Sequence, residues 1–159
     1  MAISGGADHF YHFIGEELVP YIDKQYSTDT NQRCLVGHSL GGFCTLYMLY
    51  RDQAASRAIF NDYVAASPSL DYHHAYLPKQ LASIPYNNEL HSVTITRGTQ
   101  EEDDRAANAT YAAIVDSCVQ LMKQNVHDAD VRSQTFPNAA HMQTALPTFY
   151  DYLNRQCGK

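Results

Sequence analysis

The apolar residues of this chain change their spacing several times, from helical spacing to short strand-like runs and back. Phe10, Ile14 and Leu18 recur every four residues, which is typical of an apolar stripe along one face of a helix. The run 33–37 is short and almost entirely apolar, as in a strand buried on both faces of a parallel sheet. Because parallel strands need crossover connections, usually helices, this alternation predicts an α/β fold.

The alternation continues to the end of the chain in the order α-β-α-β-α-β-α-β-α. It predicts a mostly parallel sheet with helices on both faces, and Pro20 is expected to kink or interrupt the first helix. The predicted strands are 33–37, 61–66, 92–97 and 130–136, and the predicted helices are 7–26, 40–52, 73–83, 105–125 and 142–156.

Composition excludes several classes of protein. The 159 residues fit one domain, expected over 1–159, and a hydrophobic fraction of 45% excludes intrinsic disorder. A net charge of −6 argues against nucleic-acid binding, which needs a basic face. No apolar run approaches the roughly 20 residues of a membrane span. The first residues have no basic segment followed by an apolar one, so the sequence predicts a cytoplasmic protein without membrane contact.

Metal and disulfide chemistry are not predicted. The cysteines contain no C-x-x-C pair, and a domain of this size does not need disulfides, so reduced and mostly buried thiols are expected. His9 and His12 share a helix face, but no third ligand is evident. We therefore expect no metal and no cofactor. The cysteines are Cys34, Cys44, Cys118 and Cys157.

The residues after the first predicted strand fit the pattern G-x-S-x-G, the nucleophile elbow. Such a sharp strand-to-helix turn exposes the Ser39 hydroxyl at the carboxyl edge of the sheet, where ligands bind in open α/β sheets. The following helix begins with unpaired N–H groups that favour negative charge, and the Leu40 N–H is one predicted oxyanion donor. The pattern predicts Ser39 as a nucleophile.

The ends of two later strands carry the other residues that a serine nucleophile needs. An acid must orient a histidine, and four acids follow Gly98. Glu101 is the first choice, because it comes earliest after the strand. His141 follows the fourth strand and is the predicted base, so that nucleophile, acid and base occur in the order found in α/β-hydrolases. The rival acids, Glu102, Asp103 and Asp104, remain open.

The remaining histidines are given weaker roles. His38 is interpreted as a neighbour of the nucleophile rather than its base. His73 and His74 could line a substrate cleft, and His91 and His127 are expected at the surface.

Four stretches together resemble a known family, the esterase group of α/β-hydrolases that includes enterobactin-type siderophore esterases and relatives of S-formylglutathione hydrolase. These are 13–26, the segment 34–42 around Ser39, the sequence Ala-Ser-Pro-Ser-Leu at 66–70, and the His141 loop. The resemblance implies a three-layer α/β-hydrolase sandwich with Ser39, His141 and an acid near Glu101 as its catalytic residues. Where many hydrolases carry Asp as the acid, this chain has Glu101.

Members of that group are longer, so the chain resembles their C-terminal half, a truncated hydrolase domain. In α/β-hydrolases the loop after the third strand supplies the second oxyanion N–H, and this chain lacks a counterpart. The strand 33–37 is expected to have an open edge, which is prone to association. We therefore expect a homodimer formed through that edge.

The sequence thus predicts a serine esterase that cleaves small carboxylic esters through an acyl-enzyme. A thioesterase or acyltransferase with the same residues is a weaker reading. The alternative from another class is a non-catalytic hydrolase domain that serves as a binding module, which the missing oxyanion segment favours.

Overall fold

The computed structural model describes residues 6–86, 89–102 and 105–157. Strands and helices alternate over this part of the chain, as predicted. The strands are β1 (Cys34–His38), β2 (Asp62–Ala66), β3 (Ser92–Gln100) and β4 (Asp130–Ala140). The helices are α1 (Ala7–His12), α2 (Val19–Gln25), α3 (Leu40–Ala54), α4 (Tyr72–Leu81), α5 (Arg105–Asn125) and α6 (Ala145–Cys157).

The structure differs from the sequence prediction mainly at the ends of elements. The predicted helix 7–26 is divided into three helical elements, and Pro20 lies in the first turn of the last of them, α2, so the break expected at Pro20 is found there. A π-helical turn, Phe13–Leu18, connects α1 to α2. β3 and β4 each run past their predicted ends, so the residues from Pro137 to Ala140, expected in a loop, belong to a strand.

The four strands form one parallel sheet in the order β1-β2-β3-β4. The register aligns His38 with Ala66, and Ala66 with Thr96. Between Gly98 and Gln100 the register of β3 on β4 shifts, after which Gln100 pairs with Ala140. The parallel sheet with its crossover helices confirms the predicted fold class.

Alternate side chains of the sheet face different helices. Tyr63 of β2 bonds a carboxylate of α3, whereas Thr96 of β3 bonds Thr148 of α6, with 2.7 Å between the hydroxyl oxygens. Tyr63 and its register partner Val93 share one face, and Thr96 points to the other because neighbouring positions alternate. Helices α3 and α6 therefore cover opposite faces of the sheet.

A fully buried carboxylate, Asp52 of α3, ties this core together. Its oxygens accept hydrogen bonds from the hydroxyl of Tyr11 at 2.8 Å, the hydroxyl of Tyr63 at 2.6 Å and the backbone N–H of Ile59 at 2.9 Å. Burial and the neighbouring Asp52 charge raise the pKa of Tyr63 far above its ordinary value, so its hydroxyl remains a donor. Asp52 thus joins α1, α3 and β2.

Replacing Tyr63 with phenylalanine is expected to lower the free energy of unfolding by about 1.5–3 kcal/mol, because a buried hydrogen bond to a charged acceptor is lost. That corresponds to a fall in Tm of about 5 °C for a domain of this size. Thermal unfolding followed by circular dichroism measures it. Tyr26→Phe is the matched control, since Tyr26 is 65% exposed. Equal Tm values for the two variants would contradict the role given to Asp52.

The two outer strands of the sheet differ in character. Among the described residues, β1 pairs with β2 alone, and Val36 in its middle is 45% exposed. β4 pairs with β3, but it carries Asp130, Arg132 and Pro137, residues that discourage further strand pairing. β1 has no such protection. Over the described residues, none of the helices combines the length and the apolar character needed to cross a membrane.

Candidate active site

Ser39 occupies a strained turn between β1 and α3. Its backbone adopts φ 59° and ψ −122°, a conformation that non-glycine residues rarely adopt. Its N–H donates to the Ala66 carbonyl at 3.0 Å, which fixes the turn to the end of β2. Gly37 permits the close approach of α3, because a Cβ at that position would lie 2.2 Å from the Gly41 carbonyl oxygen. The turn presents the Ser39 hydroxyl at the carboxyl edge of the sheet.

His141 begins the 3-10 turn His141–Gln143 directly after β4. Its Nε2 lies 2.8 Å from Ser39 Oγ, and its Nδ1 lies 2.7 Å from Glu101 Oε2. An ionised carboxylate only accepts hydrogen bonds, so Nδ1 carries the proton in the neutral imidazole. Nε2 is then free to accept the Ser39 proton. The arrangement can activate a hydroxyl as a nucleophile.

Glu101 reaches His141 because of the register between the two strands that precede them. Gln100 and Ala140 are partners in adjacent parallel strands, so the residues that follow them emerge side by side. The Glu101 side chain is only 1% exposed, and its Oε1 accepts from the Gly98 N–H and from the Ser67 hydroxyl. These donors, with His141, stabilise a buried negative charge.

Of the four acids considered from the sequence, the structure brings Glu101 to His141. Glu102 is exposed. Asp103 and Asp104 lie outside the described residues.

Two further hydroxyl groups belong to the site and were not singled out from the sequence for any role. Ser67 Oγ lies 2.6 Å from Glu101 Oε1 and 2.6 Å from Thr144 Oγ1. Thr144 Oγ1 also lies 2.9 Å from the His141 carbonyl oxygen. The only sequence signal for Ser67 was its place in the segment 66–70 that carries the family resemblance. Thr144 had none, because a threonine before a helix usually serves as a cap.

Of the other histidines considered from the sequence, His38 contacts the site, whereas the others whose side chains the structure describes are exposed. His38 Nε2 donates to the His141 carbonyl at 2.9 Å, so this nitrogen carries a proton and cannot accept one from Ser39. His91 and His127 are exposed, as predicted. His74 is also exposed, and the side chain of His73 lies outside what the structure describes.

His9 and His12 are exposed on α1, where His12 Nδ1 lies 2.9 Å from Glu16 Oε1. Within the described ranges, no three His, Cys, Asp or Glu side chains are grouped so that they could hold a metal ion.

The described cysteines do not compete with Ser39 as nucleophiles. Cys34, Cys44 and Cys118 are free thiols. Burial raises the pKa of Cys34 to about 11 and that of Cys118 to about 12, so both stay protonated near neutrality. The expectation of mostly buried thiols was wrong for two of them, because Cys34 and Cys44 are only half-buried.

The backbone at the start of α3 can bind negative charge. Leu40 is the first residue of that helix and directly follows Ser39. N–H groups in the first turn of a helix lack intrahelical acceptors and carry a partial positive charge. An anion that forms beside Ser39 Oγ would meet the Leu40 N–H.

A parallel sheet with a serine at this strand-to-helix turn, and a histidine and a carboxylate after the last two strands, is the arrangement of the α/β-hydrolase class. Solved structures with that fold superpose on nearly the whole chain. The siderophore hydrolase EstA from Aspergillus nidulans matches with a TM-score of 0.77 and 20% identity, covering 96% of this chain and 56% of its own. At that identity the match shows the fold.

The chain belongs to the esterase family, since the family model described as "Putative esterase" matches residues 1–149. Ferri-bacillibactin esterase BesA of Bacillus subtilis is 30% identical over 106 residues, covering 64% of this chain and 35% of the relative. Apo-salmochelin esterase of Escherichia coli is 28% identical over 141 residues, covering 87% and 42%. The family resemblance is confirmed, and the chain spans about half the length of these relatives or less.

Proposed function

We propose that this chain carries the acyl-transfer site of a serine esterase. The observation that carries the proposal is the continuous line of hydrogen bonds from Ser39 Oγ through the His141 ring to the buried Glu101 carboxylate, at 2.8 and 2.7 Å. Each group has the partner that its role requires: a base for the hydroxyl, an acceptor for Nδ1–H, and donors for the carboxylate.

The first half of the reaction forms an acyl-enzyme. Ser39 Oγ attacks the ester carbonyl carbon while His141 Nε2 takes the hydroxyl proton, and Glu101 stabilises the resulting imidazolium. The negative charge on the former carbonyl oxygen is stabilised by the Leu40 N–H at the start of α3. The carbon–oxygen bond to the leaving group then breaks, and His141 returns the proton to the departing alcohol.

The second half releases the acid. Water attacks the acyl carbon, His141 takes its proton, and the bond to Ser39 Oγ breaks as that oxygen is reprotonated. Loss of one oxyanion donor lowers kcat by about 10²–10³-fold, so the Leu40 N–H is expected to contribute strongly to the rate.

The names of the relatives support a proposal for the substrate class. Those named above are a ferri-bacillibactin esterase and an apo-salmochelin esterase. We propose that the substrate is a siderophore ester, and that short p-nitrophenyl esters serve as model substrates because the acyl chemistry is the same.

The deciding experiment is covalent labelling with a fluorophosphonate, which reacts only with an activated serine. We expect one adduct per wild-type chain by intact mass. Ser39→Ala removes the acceptor atom and His141→Ala removes the base, so neither variant should react. Ser117→Ala, an exposed serine on α5, is the matched control and should label like wild type.

Two results would reject the proposal. One is a folded wild type that acquires no adduct, which would favour the non-catalytic binding module. The other is labelling that persists in Ser39→Ala, which would place the nucleophile elsewhere.

We also propose that two copies of the chain associate through the free edge of β1. Among the described residues β1 pairs with β2 alone, so the backbone groups along its outer edge have no strand partner there, and β1 lacks the charges and the proline that protect β4. A two-fold axis beside β1 would pair it with its copy in antiparallel fashion. The sheet would then continue from one subunit into the other.

Light scattering after gel filtration should therefore give twice the chain mass of 17.9 kDa. Val36→Lys places a charge in the middle of the edge and is expected to give monomers, because pairing would bring two lysines together. Thr135→Lys on the outer strand β4 is the control and should remain dimeric. A wild-type protein that is monomeric at tens of micromolar would rule out this interface.

A further inference from the structure

The Glu101 carboxylate is held from the side opposite His141 by a hydroxyl that the reaction scheme does not use. Ser67 Oγ and Thr144 Oγ1 are both in fully buried residues and lie 2.6 Å apart. Ser67 Oγ is also 2.6 Å from Glu101 Oε1. Buried hydroxyls must satisfy their hydrogen-bonding capacity within the protein, so the position of each proton can be deduced.

Ser67 has one hydroxyl proton and faces an acceptor that cannot donate. That proton therefore goes to Glu101 Oε1, and Ser67 Oγ can accept a hydrogen bond from Thr144. Thr144 also has the His141 carbonyl within 2.9 Å. The His141 carbonyl also accepts a hydrogen bond from His38 Nε2 at 2.9 Å. It therefore remains hydrogen-bonded when the Thr144 hydroxyl donates to Ser67 Oγ instead. The bonds thus form a chain in which each donor polarises the next.

The backbone at Ser67 is arranged so that its hydroxyl can reach Glu101. Its φ is 41°, in the left-handed region that favours glycine. Its N–H donates to the Thr96 carbonyl at 2.8 Å. The carbonyl of the preceding residue, Ala66, accepts a hydrogen bond from the Ser39 N–H. A strained residue between the turn of Ser39 and the buried acid is typical of functional sites. Glycine would relieve the strain but would have no hydroxyl.

We propose that Ser67, supported by Thr144, is a positioning residue that fixes the Glu101 carboxylate and, through it, the His141 ring toward Ser39. The inference rests on the proposed function, since it assigns Ser67 a role in the same reaction. The Ser67 hydroxyl acts on the substrate only through Glu101 and His141. Removing this hydroxyl is therefore expected to lower kcat, with little change in KM.

The test measures both constants for p-nitrophenyl acetate, with enzyme concentration taken from fluorophosphonate titration so that only assembled sites are counted. Ser67→Ala should lower kcat by about 10- to 100-fold, because a hydrogen bond to a buried charge is lost, and should change KM less than about twofold. Thr144→Val should lower kcat by a smaller factor, about 3- to 10-fold, since its hydroxyl acts one bond further away.

Conservative and control variants separate positioning from folding. Thr144→Ser keeps the hydroxyl and loses a methyl group, so it should keep most of the activity that Thr144→Val loses. Thr110→Val removes an exposed helix hydroxyl that bonds the Ala106 carbonyl, and it should match wild type. Equal kcat in Ser67→Ala and wild type, or equal losses in the two Thr144 variants, would overturn the proposal.

Proton NMR distinguishes failure of this inference from failure of the proposed function. The His141 Nδ1–H that faces Glu101 should give a downfield resonance in the wild type, whether or not the chain turns over an ester. Ser67→Ala should shift or broaden it, because the carboxylate loses its fixed orientation. An unchanged resonance would overturn the inference. A shifted one in a protein that the fluorophosphonate does not label would uphold it and reject the esterase proposal.

Discussion

Replacing His141 with alanine is expected to lower kcat/KM for p-nitrophenyl esters by about 10⁴-fold or more, the scale of loss when a serine nucleophile is deprived of its base. The reason is geometric. His141 Nε2 is 2.8 Å from Ser39 Oγ, whereas Nε2 of the nearby His38 already carries a proton, which it donates to the His141 carbonyl. Initial rates with background hydrolysis subtracted measure the effect.

The matched control is His127→Ala, which removes an exposed histidine beyond the end of α5. It should leave kcat/KM within about twofold, as surface changes away from the site generally do. If His141→Ala retained a tenth of the wild-type activity, another group would have to be taking the Ser39 proton. The role given to His141 would then be wrong.

Replacing Glu101 with glutamine is expected to lower kcat by about 10⁴-fold, the loss seen when the acid of a Ser-His-acid triad becomes an amide. The amide has nearly the same shape as the carboxylate. Its oxygen would stay with the Gly98 N–H, which needs an acceptor, and its NH₂ group would then face His141 Nδ1. Nδ1 would have to accept, so Nε2 would carry the proton and could no longer take one from Ser39.

The rival acids provide the controls for this prediction. Glu102→Gln, Asp103→Asn and Asp104→Asn make the same chemical change at neighbouring positions of the chain. Each should retain kcat within about threefold if Glu101 is the acid. A loss of about 10⁴-fold in any of them, with Glu101→Gln active, would move the assignment to that residue.

Local patterns in the sequence were sufficient to predict the fold class. The spacing of Phe10, Ile14 and Leu18 and the apolar run 33–37 report which side chains face the core, and that is a property of a few consecutive residues. The predicted strands and the later helices are confirmed, with errors of a few residues at their ends, and the predicted first helix is divided into three helical elements. β3 and β4 were predicted too short because Gly98 and Pro137 are usually signs of a strand ending, whereas here pairing between the two strands carries both onward.

The candidate site was only partly predictable, because local patterns do not report which residues of different strands meet. Ser39 and His141 could be proposed from their places after strands, since parallel strands bring their carboxyl ends to one edge. Among four consecutive acids the sequence favoured Glu101 only because it comes first after the strand, whereas the contact with His141 depends on which carboxylate the register of β3 on β4 places opposite it. The shift between Gly98 and Gln100 decides it.

The contact between the hydroxyls of Ser67 and Thr144 could not be predicted from the sequence at all. They are 77 positions apart in the chain and 2.6 Å apart in space. By itself the amino-acid sequence determined the α/β alternation, the turn at Ser39 and the order of Ser39, the acids after Gly98 and His141, because these depend on short-range spacing. The tertiary structure alone decided which acid meets His141 and which hydroxyls support it, because those contacts arise from strand register and from a left-handed backbone at Ser67.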